Sequence, residues 1–121
     1  LRVMHREELT RGAKTLAARA ASGPKCDILG LSCTSFSFTL GSAKVREQIS
    51  AGYPGVPVTD MAQAQLEALK ALQAKRVALL TPYIEDLSRA NAEMLESMGG
   101  FQVVSRLTMN LPTDDLTSAK G

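Results

Sequence analysis

Asp27-Ile28-Leu29-Gly30-Leu31-Ser32 runs straight into Cys33-Thr34-Ser35. The first part is short and apolar on both faces, the pattern of a strand covered from both sides, as in a parallel sheet. The second part puts a thiol and two hydroxyls at the carboxyl end of that strand. In open α/β sheets this end is where ligands bind. The same stretch therefore points to a fold class and to a place for chemistry.

The flanking sequence repeats the alternation. Upstream, Leu9, Ala13, Leu16, Ala17 and Ala20 recur on one helical face over residues 5–21, and Gly23-Pro24 stops that helix. Downstream, a Ser/Thr/Phe-rich loop over residues 33–40 leads into a helix over 42–51. Val45 and Ile49 face inward there, and Gly52 is its expected C-terminal cap. Val56-Pro57-Val58-Thr59 reads as a short strand, with Pro57 marking a strand start or edge. Thr59 or Asp60 can cap the next helix, residues 61–73, whose buried stripe is Ala62, Leu66, Leu69 and Leu72.

Arg76-Val77-Ala78-Leu79-Leu80 is the clearest strand, and Thr81-Pro82 reads as an N-cap with proline at the first helical position. A helix over residues 83–98 carries Leu87, Ala90, Met94, Leu95 and Met98 on one face and ends at Gly99-Gly100. Residues 101–107 form the last strand. The order α-β-α-β-α-β-α-β predicts an α/β fold. It would be an open parallel sheet of about four strands with helices on both faces, Rossmann-like.

Composition bounds what such a domain can do. With 121 residues, the chain is expected to form a single α/β domain over 1–121. Hydrophobic residues at 45% supply a core, while the net charge of +2 and 4% aromatics argue against a nucleic-acid partner. No apolar run is long enough to span a bilayer, and no secretory leader is visible. Two cysteines make no disulfide framework, so a reducing cytoplasm is the expected compartment. A lone His5 has no partner at metal-ligand spacing.

The strand ends carry the candidate chemistry. Cys33 follows a strand and precedes a helix, and the thiolate form of such a cysteine is the nucleophile. Thr34, Ser35 and Ser37 add hydroxyls, and the turn adds backbone N–H groups, which together suit a carboxylate or an enolate oxygen. The competing reading of Cys33 is a small apolar side chain in a hydroxyl-rich turn. Cys26, before the strand, reads as structural. Tyr83 stands beside a strand end, where its phenol can donate to an anion or simply lie on an amphipathic surface. Asn110 follows the last strand, where Asn is commonly a turn former.

Four segments taken together resemble a known family. They are Cys26-Asp27-Ile28-Leu29-Gly30-Leu31-Ser32-Cys33-Thr34-Ser35-Phe36-Ser37-Phe38, Gly55-Val56-Pro57-Val58-Thr59, the run from Ala68 to Tyr83, and Gly100-Phe101-Gln102-Val103-Val104. In this order the chain resembles the aspartate/glutamate racemase superfamily, in its branch of maleate cis-trans isomerases and arylmalonate decarboxylases. The Cys-Thr-Ser-x-Ser and Leu-Thr-Pro-Tyr pair carries most of that resemblance.

The resemblance implies one half of a pseudo-twofold, two-domain fold whose domains face each other across a cleft. It implies a cofactor-independent isomerase, racemase or decarboxylase acting on a small dicarboxylate, with no metal, flavin, nicotinamide or pyridoxal. Cys33 would be the catalytic nucleophile or base. Thr34, Ser35, Tyr83 and Asn110 would bind the substrate. A cysteine at position 33 favours the isomerase or racemase type. The family's first strand would precede Leu1 and its second domain would follow Gly121. The protein is therefore expected either as part of a larger two-domain chain or as a homodimer. The alternative is a non-catalytic relative, a small-anion-binding or oligomerising α/β module.

Overall fold

The computed structural model describes residues 11–12 and 15–111. The expected beginning of the first helix, with His5, Leu9 and Ala13, lies outside the described residues. The chain divides into two compact units, with the boundary between Gln65 and Leu66.

The first unit contains helix α1 (residues 15–21), strand β1 (Leu29–Leu31), helix α2 (Thr34–Leu40), helix α3 (Ser42–Gly52) and strand β2 (Val58–Asp60). Helix α4 (Met61–Ala71) starts in this unit. β1 and β2 pair in parallel, with Leu29 opposite Val58, Gly30 opposite Thr59 and Leu31 opposite Asp60. Pro57 has no N–H to give, yet its carbonyl accepts the Leu29 N–H at 2.9 Å, so it stands at the strand start as expected. Phe38, Val45, Ile49 and Ala62 are the unit's buried apolar side chains. The inward placement of Val45 and Ile49 agrees with the helical spacing.

Three local expectations change in this unit. Residues 34–40, expected as loop, are helical, because the hydroxyls that usually draw such residues into turns bond back one helical turn instead. Ser37 Oγ donates to the Cys33 carbonyl at 2.7 Å, and Thr39 Oγ1 donates to the Ser35 carbonyl at 2.6 Å. Gly52 is the last residue of α3 rather than its cap. A β-carbon there would collide with the Ala17 backbone, so close approach, not a left-handed turn, calls for glycine. β1 is narrower than the apolar run predicted. Ile28 and Gly30 are exposed and Leu29 and Leu31 half-buried, because a single partner strand flanks β1 among the described residues.

The second unit contains strand β3 (Arg76–Thr81), helix α5 (Glu85–Gly99) and strand β4 (Gln102–Thr108), after the end of α4. β3 and β4 are parallel, with Leu79 opposite Arg106, Leu80 opposite Leu107 and Thr81 opposite Thr108. The register shifts between Val77 and Ala78, which leaves Val104 as an extra residue in β4. α5 packs on β4 and buries Leu87, Ala92, Met94 and Leu95. Glu85 and Asp86 sit in its first turn, where negative charge suits the helix N-terminus.

Gly100 ends α5 in the left-handed conformation with φ of 69°, and its N–H returns to the Glu96 carbonyl. The α5 start differs from the expectation. Thr81 is the last residue of β3 and is buried, Ile84 is the N-cap, and the helix begins at Glu85. Leu72 lies beyond α4 and is exposed rather than part of its stripe, and Met98 is exposed as well.

The α/β class and the parallel pairing agree with the sequence. The strands form two parallel ladders, β1–β2 and β3–β4, one in each unit. On β3–β4 the side away from Leu79 and Thr81 presents Leu80 and Leu107, at 69% and 65% exposure. No described helix is long and apolar enough to cross a membrane.

Candidate active site

Cys33 is positioned by what flanks it. Leu31, two residues before it, is locked in register with Asp60 of β2. Cys33 itself is the N-cap of α2, with extended backbone (φ −140°, ψ 100°). Its carbonyl accepts both the Ser37 N–H at 3.0 Å and the Ser37 hydroxyl at 2.7 Å. The thiol is free and exposed, and its Sγ lies 3.9 Å from Ser35 Oγ. Thr34 and Ser35 are half-buried in the first turn of α2. The sulfur is therefore open to a ligand, with a hydroxyl beside it and the first residues of a helix below it.

Cys26 is also a free thiol, but it precedes β1 whereas Cys33 follows it. It lines an open depression of about 460 Å³ with Lys25, Asp27, Tyr53 and Val56. Tyr53 donates its hydroxyl to the Pro24 carbonyl at 2.9 Å.

In the second unit the structure brings Tyr83 and Asn110 to one end of the β3–β4 ladder. Thr108, the last residue of β4, donates its hydroxyl to the Tyr83 carbonyl and accepts the Asn110 N–H at 3.2 Å. The exit of β4 is tied to the exit of β3 by two further bonds. The Met109 N–H reaches the Thr81 carbonyl at 2.9 Å, and the Leu111 N–H reaches the Pro82 carbonyl at 3.0 Å. Asn110 has φ of 54°, in the left-handed region that Asn tolerates better than most side chains. Tyr83 is half-buried.

Two side chains of these strand ends make bonds that the sequence did not foretell. Thr108 links Tyr83 and Asn110. Asp60, expected only as a helix cap, also receives the Ser42 hydroxyl. Nothing in the spacing of Ser42 and Asp60 announces that bond. Among the described residues no group of three or more His, Cys, Asp or Glu could hold a metal ion.

The geometry described above belongs to a strand-end site of an α/β protein, and comparison with known proteins specifies the family. A family model described as arylmalonate decarboxylase matches residues 3–117, and the chain belongs to that family. The maleate isomerase of Pseudomonas putida is 30% identical over 106 residues, which is 82% of this chain and 42% of that protein.

Solved structures agree. A Nocardia farcinica maleate cis-trans isomerase variant with a covalently bound succinylcysteine intermediate aligns with a TM-score of 0.66 at 24% identity, over 91% of this chain and 50% of that one. Unliganded arylmalonate decarboxylase aligns with a TM-score of 0.60 at 28% identity, over 87% of this chain and 43% of that one. The chain spans about half the length of the relatives it matches.

Proposed function

We propose that this chain carries the Cys33 side of a cofactor-independent, cysteine-based isomerase acting on a small dicarboxylate, of the maleate isomerase type. The observation that carries the proposal is the exposed Cys33 thiol at the carboxyl end of β1, with Ser35 Oγ at 3.9 Å. The covalent succinylcysteine described for the Nocardia farcinica enzyme supports a cysteine adduct as the chemical route.

The chemistry follows from the thiol. A Cys33 thiolate adds to one alkene carbon of a cis-dicarboxylate, and the carbon–carbon double bond becomes single. The electron pair moves toward the adjacent carboxylate, and the other alkene carbon takes up a proton. The new single bond rotates, that proton is lost, and expulsion of the thiolate restores the double bond in the trans geometry. Cys33 is regenerated, so no oxidant or reductant is consumed.

Thr34 and Ser35, through hydroxyl and backbone N–H donors, hold the carboxylate on which negative charge develops. Tyr83 and Asn110 are the further substrate-binding candidates. On this reading the protein works in the cytoplasm, and a second domain or a second copy supplies the opposing face of the substrate.

The test is alkylation of Cys33 by iodoacetamide in the presence and absence of maleate, together with turnover of maleate by Cys33→Ala and Cys26→Ala variants. Maleate is expected to protect Cys33, Cys33→Ala to lose turnover with an intact fold, and Cys26→Ala to be nearly silent. Turnover that survives Cys33→Ala would overturn the role given to Cys33, and labelling indifferent to maleate would instead favour a non-catalytic relative.

A further inference from the structure

We infer that Asp60 is the positioning residue of the Cys33 turn. The inference rests on the reading of Cys33 as the reactive thiol and names the group that sets its place. Asp60 is the last residue of β2 and is only 2% exposed. Its Oδ1 accepts three hydrogen bonds, from the Ser42 hydroxyl at 2.9 Å, the Ala62 N–H at 2.9 Å and the Gln63 N–H at 3.1 Å. Two of these cap α4. The third reaches back to the first residue of α3, so the carboxylate stands at the start of two helices, where negative charge is favoured.

The consequence for Cys33 comes from connectivity. The backbone of Asp60 pairs with Leu31, two residues before Cys33, and its side chain holds Ser42, at the far end of the same segment. One buried residue thus closes the span from Leu31 to Ser42 at both ends. Inside that span the hydrogen bonds are continuous. Gly41, the residue before Ser42, donates its N–H to the Ser37 carbonyl at 2.9 Å, and Ser37 donates twice to the Cys33 carbonyl. Ser37 and Ser42 are buried as well, at 0% and 3% exposure, so water does not compete for these bonds. Moving Asp60 or Ser42 shifts α2 and with it Cys33, Thr34 and Ser35. Misplacements of that kind lower effective concentration steeply.

The experiment uses a Cys26→Ala background, so that iodoacetamide reports on Cys33, and reads the maleate concentration that halves the labelling rate. Measurements are made where circular dichroism shows each variant fully folded, so loss of stability alone does not move the readout. Asp60→Ala is expected to raise the half-protecting concentration about tenfold or more. That variant also strips α4 of its cap, so Ser42→Ala is the deciding one. It removes a single bond to Asp60 and is expected to raise the concentration about threefold or more. Ser42→Ala at the unmodified value overturns the inference, whatever Asp60→Ala does. Absence of maleate protection in the background protein marks a different failure, that of the Cys33 reading, and the inference falls with it.

Discussion

A β-carbon placed on Gly52 would stand 1.8 Å from the carbonyl oxygen of Ala17 and 2.6 Å from its carbonyl carbon. The end of α3 and the helical segment of residues 15–21 therefore meet backbone to backbone. Gly52→Ala is expected to lower stability by about 1–3 kcal/mol, as overpacking does. The gain of up to ~1 kcal/mol from better helix propensity does not offset a contact that short. Urea unfolding of the variant measures the balance, and a stability equal to or above the unmodified protein would contradict the close approach.

The second unit has its own anchor in Leu95, which is fully buried on α5, while Met98 on the same helix is 54% exposed. Leu95→Ala removes buried methyl groups and leaves a cavity, for an expected loss of about 2–5 kcal/mol. Met98→Ala is expected to change stability by less than about 0.5 kcal/mol. Thermal or denaturant unfolding of the pair checks the contrast. Equal losses would show that the two side chains are packed alike.

Acid stability has a named contributor. Arg106 of β4 hydrogen-bonds Glu85 at the start of α5, and this bond is the main reason the Glu85 carboxyl lies below its ordinary value; burial opposes it next, and the nearby charges of Arg106 and then Arg89 add to the lowering. A carboxyl lowered in the folded state stabilises it above the ordinary glutamate range. That contribution fades as pH falls through the range and then through the folded value. Glu85→Gln is therefore expected to flatten the loss of stability from ~pH 5 to ~pH 3, with a small effect because the pair is at the surface. Melting temperature against pH, for both proteins, gives the comparison. Parallel curves would remove Glu85 from the account.

Most elements were legible because their signals are local. Leu87, Met94 and Leu95 recur at helical spacing and are buried on α5, and Gly99-Gly100 stops that helix where expected. Arg76–Thr81 is a strand, and its apolar run was short and bounded. The position of Cys33 after β1 was legible in the same way. Cys33, Thr34 and Ser35 stand at a strand end because the strand before them was readable.

What misled was chemistry with two local solutions. Ser35, Ser37 and Thr39 suggested a loop, since hydroxyls bond nearby backbone in turns as readily as in helices. Burial of Ser37 and Phe38 against the first unit settles α2 as helix.

Periodicity and turn chemistry, acting over a few residues, already assign this chain its α/β alternation and the strand-end position of its thiol. Tertiary structure alone made the bond from Ser42 to Asp60 across 18 residues and the link from Thr108 to Tyr83 across 25. It also required glycine at position 52, where another helix passes. The reason is range. Spacing along the chain encodes which face a residue takes, whereas contacts between distant segments exist only once the strands have paired and the helices have packed.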